Sequence, residues 1–125
     1  MANPQAGISP QIQQQLAMFQ QIQQQQQQVS SQKMQYEMTL RETKRALEEL
    51  STAAEDTAVF FSAGSILIQK KKGAVAADLQ ERIDSVELRV GSLDKQEKAM
   101  TAKASQLQKQ IQDALAIQGG GQAAQ

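Results

Sequence analysis

Apolar residues return along this chain at alternating intervals of four and three, and few folds can use such a pattern. One series runs Ile8, Ile12, Gln15, Phe19, Ile22, Gln26, Val29, Lys33, Tyr36, Leu40, Thr43, Leu47, Leu50 and Ala54, with ten of its fourteen positions apolar. A second runs Leu79, Ile83, Val86, Val90, Leu93, Glu97, Met100, Ala104, Leu107, Ile111 and Ala114, broken only by Glu97. A mean spacing near 3.5 keeps one stripe of an α-helix turned toward a neighbouring helix, which is the signature of a coiled coil. Between the stripe positions lie mostly Gln, Glu, Lys, Arg, Ser and Ala. Ser9-Pro10 suits a helix start, because serine caps free N–H groups and proline fits the first turn. The only other proline is Pro4, so nothing later forces a break. The pattern predicts a helix over residues 8–56, a second over 74–118, a loose lead-in before Ile8 and a flexible tail over 119–125, all within one domain.

Composition agrees with long helices. Only 3% of the 125 residues are aromatic, and a compact core draws much of its buried area from aromatic rings. The block Gln23–Gln28 would be disordered in isolation, but glutamine is a fair helix former and the stripe passes through it from Ile22 to Val29. Cysteine and histidine are absent, which removes thiol chemistry and the common zinc sites. No nucleophile–base set and no phosphate-cradling glycine loop stands out, so the expectation is no enzyme and no cofactor. Glu48, Glu49, Glu55 and Asp56 read as solvated helix surface rather than a metal cluster. Net charge is zero, and Lys70–Lys72 is too short, with no aromatic platform, for nucleic-acid binding. No apolar run is long enough to cross a membrane, and no signal-peptide pattern opens the chain; the expectation is a cytoplasmic protein.

One stretch departs from this polar background. In AVFFSAGSILIQKKKG, β-branched and aromatic residues flank Ala63-Gly64, as in a β-hairpin over 58–69. Val59, Phe61, Ile66 and Ile68 are apolar, and so are Phe60 and Leu67 at alternate positions. Both faces of such a hairpin call for burial, and both edges carry unpaired backbone groups. Pairing with hairpins of other chains into a shared sheet or barrel satisfies these demands. Lys70-Lys71-Lys72 reads as solvated surface or a basic contact with a partner.

A hairpin between two helices sets them antiparallel, as an arm of roughly 60–70 Å at ~1.5 Å per residue. Counting outward from the hairpin pairs Ala54 with Leu79, Leu50 with Ile83, Leu47 with Val86, Ile22 with Ile111 and Phe19 with Ala114. Lys33 and Glu97 then fall one step apart, and polar residues on a seam fix its register at a cost in stability. On this count Ile12 and Ile8 face the Gly119–Gly121 tail and have nothing to pack against. Leu16, Met18, Leu115 and Ile117 lie off or beyond the seam. The ends of both helices are thus expected to expose an apolar cluster, which marks a binding site.

With the hairpin in mid-chain, the sequence resembles the β-class subunit of prefoldin over roughly residues 8–118. The likeness is strongest at VFFSAGSILIQKKKG and at DLQERIDSVELRVGSLDKQEK. Val59, Gly64, Ile66-Leu67-Ile68 and Lys70 follow the family's order of valine, turn glycine, aliphatic run and lysine. Phe60, Phe61 and Lys71 stand where tyrosine, a polar or basic residue and an acidic residue are common. The resemblance implies an ATP-independent chaperone that assembles as a hexamer of two α-class and four β-class subunits. Its hairpins would form a double β-barrel from which six coiled coils project. Non-native polypeptides would be held between the tips and passed to a group II chaperonin. Carried over by position, the tip residues are Ile8, Ile12, Leu16, Phe19, Ile111, Leu115 and Ile117. A structural coiled-coil scaffold that holds no clients is the competing reading.

Overall fold

The computed structural model describes residues 8–123; Met1–Gly7 and the last two positions of the expected tail, Ala124 and Gln125, lie outside the described residues. Two long helices enclose a single hairpin in the order α1 (Pro10–Thr52), β1 (Val59–Ala63), β2 (Ile66–Lys70) and α2 (Lys72–Ala123). Helix α1 begins as its sequence dictates. Ser9 Oγ accepts the Ile12 N–H at 3.2 Å and Ser9 O accepts the Gln13 N–H at 3.0 Å, which leaves Pro10 at the first helical position. The glutamine block is helical throughout.

Helix α1 stops at Thr52, four residues short of the expected end. The Ser51 and Thr52 hydroxyls donate back to the Glu48 and Glu49 carbonyls, and the Ala53 N–H tightens onto Leu50 O at 3.1 Å. Local hydroxyl bonds of this kind compete with helix propagation. At the other end, α2 continues through Gly119–Gly121 to Ala123, where a flexible tail was expected. Each glycine costs a helix about 1 kcal/mol relative to alanine, yet extending an existing helix needs no new nucleus.

By packing, the chain divides into two units: Met1–Ser31 with Asp94–Gln125, and Gln32–Leu93. In the first, Ile22, Ala104 and Leu107 form a buried cluster, with Phe19 and Met100 packed against it. Ile12, Val29 and Ile111 are also buried, and the Gln26 side-chain amide donates to Thr101 Oγ1 at 3.2 Å. In the second, Thr43, Ile83, Val86 and Leu93 are buried, and Lys44 pairs with Glu87 at 3.1 Å. Every buried residue named here belongs to one of the two apolar series, so the stripe drives the packing. Ala54 is the one seam position left exposed, because the helix ends before it.

That early end corrects the register. Leu47 shares a groove with Ile83 rather than Val86. Ile22 packs with Ala104 and Leu107 rather than Ile111. Ile83 and Leu107 each lie one seam step from the expected partner, which is the shift produced by starting the count at Leu50 instead of Ala54.

Candidate assembly and client-binding surfaces

The hairpin is a regular antiparallel pair with Val59 opposite Lys70, Phe61 opposite Ile68 and Ala63 opposite Ile66. Gly64 and Ser65 make a two-residue turn. Gly64 has φ of +62° and no other described residue has positive φ, which is the type II′ arrangement with glycine at the first central position. Side chains alternate between faces. Phe61, Ile66 and Ile68 lie on one face with the half-buried Val59, Ala63 and Lys70, while Phe60 and Leu67 lie on the other. All five large apolar residues are exposed, from Ile68 at 42% to Leu67 at 70%. Each is worth ~1.5–3 kcal/mol when fully buried. The sheet has only two strands, so both outer edges are open.

The helix termini of the first unit form the second surface. Here the structure corrects part of the expectation. Ile12 is buried at 3% exposure and Ile111 at 6%. With the register moved by one step, Ile12 lies in a groove with Gln110, Ala114 and Ile117 instead of facing glycine. Ile8, Leu16 and Phe19 are half-buried. Leu115 at 42% and Ile117 at 78% are the open residues of the expected set, and Met18, off the seam, joins them at 40%.

The polar seam residues stand apart from both surfaces. Lys33 is half-buried and pairs with Glu37 one turn on at 3.9 Å; Glu97 is half-buried on α2. Among the described residues no helix is long and apolar enough to cross a membrane.

A family model described as "Prefoldin subunit" matches residues 13–118. The chain belongs to the prefoldin family. A prefoldin subunit beta from Methanospirillum hungatei is 42% identical over 105 residues, covering 84% of this chain and 88% of that one. Another from Methanosphaerula palustris is 53% identical over 84 residues, covering 67% and 69%. The crystal structure of the prefoldin beta subunit from Thermococcus strain KS-1 superposes with a TM-score of 0.82 at 36% identity, over 92% of this chain and 97% of that one. These likenesses agree with the hairpin and the two long helices that the seam and the turn glycine predicted.

The root of the prefoldin hairpin holds what sequence reasoning missed. The lysine run is not uniformly solvated. Lys72 is only 14% exposed; its ammonium donates to Ala53 O at 2.6 Å and lies 3.7 Å from Glu55. Lys70 lies 4.6 Å above the Phe61 ring and 3.7 Å from Asp78. One lysine thus caps the end of α1 and the other ties β2 to α2, while Lys71 between them faces solvent.

Proposed function

We propose that this chain is a subunit of an ATP-independent chaperone complex that holds non-native polypeptides at the helix termini of its first unit and passes them to a group II chaperonin. The exposure of Leu115, Ile117 and Met18 carries the reading. Ile8, Leu16 and Phe19 are half-buried, while Ile12 and Ile111 are buried. Exposed apolar residues gathered toward the ends of two helices are characteristic of an interaction site. Each such surface is small, so holding is weak and multivalent: several arms around one client raise the effective concentration, and avidity replaces a single tight contact. Release needs no nucleotide, because a second chaperone competing for the client suffices.

The exposed residues on both faces of the hairpin support assembly with α-class prefoldin subunits and further copies of this chain, as a hexamer of two α and four β subunits. In this reading the complex is cytoplasmic and has no catalytic centre.

Light scattering of an aggregating unfolded protein tests the proposal. The assembled complex suppresses aggregation, and the complex with Leu16, Phe19, Leu115 and Ile117 replaced by serine loses most of that effect. Equal suppression by the variant overturns the assignment of the surface. No suppression by the parent complex leaves a scaffold that assembles without holding clients.

A further inference from the structure

Charge is distributed very unevenly along this chain. Residues 1–32 and 114–125 contain no Asp, Glu, Lys, Arg or His, and within 110–125 only Asp113 is charged. Asp113 is exposed and lines an open groove of about 440 Å³ with Ser9, Gln11, Ile12, Gln15, Ala114 and Ile117. In the same groove Gln15 Oε1 is buried without a hydrogen-bond partner. Ser9 Oγ is already engaged by the Ile12 N–H. The groove therefore offers an aliphatic wall from Ile12, Ala114 and Ile117 beside two acceptors, a carboxylate and an amide carbonyl. A buried acceptor without a donor carries a desolvation penalty that an incoming N–H relieves.

We infer that this groove seats an aliphatic client side chain whose neighbour in sequence is arginine or lysine, the cation meeting Asp113 and its N–H groups reaching Gln15. The inference rests on the client-holding reading above and names the class of segment held. Cation and carboxylate complement each other; the nearest charge on α2 is Lys109, one helical turn back, so an incoming cation competes with it for Asp113. An opposing charge in the client would steer its encounter with the groove and weaken with salt. A cation in the client finds an acceptor here, whereas a client carboxylate meets like charge.

The test uses the assembled complex and three fluorescein-labelled peptides that share one Leu-Ile core and differ only in flanking Arg, Ser or Glu. Affinities come from fluorescence anisotropy. The expected order is Arg tighter than Ser, and Ser tighter than Glu, with about two- to fivefold between Arg and Ser, the range of an exposed ion pair. Asp113→Asn brings the Arg-to-Ser ratio toward one, Gln15→Leu lowers it, and raising salt from about 50 to 300 mM compresses it. Equal binding of all three peptides, or the same ratio in Asp113→Asn, overturns the inference and leaves the chaperone reading intact. Failure of every peptide to bind, with no suppression of aggregation, overturns that reading instead. A fall in assembly mass for Asp113→Asn in native mass spectrometry assigns the groove to another subunit and also overturns it.

Discussion

Ile12 and Ile117 share one groove and carry opposite duties. Ile12, the more deeply covered, supports the junction of the helices; Ile117 lies open beside it. Truncating a buried isoleucine removes transfer energy and leaves a cavity, and a core only two helices thick can partly collapse to fill it. Ile12→Ala is therefore expected to cost about 2–3 kcal/mol, near the lower end for such changes. Ile117→Ala stays within about 0.5 kcal/mol, as for surface substitutions. Client capture reverses the order once each variant is assembled and measured below its melting transition. Thermal unfolding by circular dichroism, paired with the scattering assay, reads both quantities. A comparable loss of stability in the two variants would place Ile117 in the core and contradict its exposure. At the turn, Gly64 is the residue with positive φ; alanine there takes on a strain of about 1–2 kcal/mol.

At the scale of elements, the helices and the hairpin were legible in the sequence because their signals are local: a period near 3.5, a serine–proline start, a glycine between two apolar runs. The end of α1 was not. Ala53, Ala54 and Glu55 are good helix formers, and what stops the helix includes Ser51 and Thr52 bonding back to it and a lysine arriving from 19 residues further on. That one boundary shifted the register, which left Ile12 facing glycine on paper and buries it in the molecule. The lysine's part can be measured. Lys72→Met keeps most of the aliphatic stem and removes the donor to Ala53 O, a bond to a charged group worth about 1.5–3 kcal/mol. Faster amide exchange is expected across residues 53–58 and the hairpin, with a lowered Tm. Lys71→Met, at an exposed site, changes neither. Identical exchange in the two variants would make the Lys72 contact incidental.

For the molecule as a whole, the open requirement is the hairpin. Two strands alone are marginal in water, yet this pair carries Phe60 and Leu67 on one face and Phe61, Ile66 and Ile68 on the other, all exposed. Along the helices the seam is covered within the chain apart from Ala54, and the exposed apolar residues lie off it. Assembly should therefore depend on the sheet and leave helicity alone. Replacing Phe60 and Leu67 by lysine puts two like charges on a face whose other side chains, Ser62 and Gln69, are uncharged, and desolvating them at an interface is costly. Native mass spectrometry of the variant mixed with an α-class subunit is expected to show mostly unassembled chains, with far-ultraviolet circular dichroism unchanged. The same substitutions remove no buried contact, so a loss of helicity would mean that the hairpin supports the helices from within. Full assembly of the variant would mean that this face of the sheet is not where chains meet, and would leave the joint to Phe61, Ile66 and Ile68 and the two open strand edges.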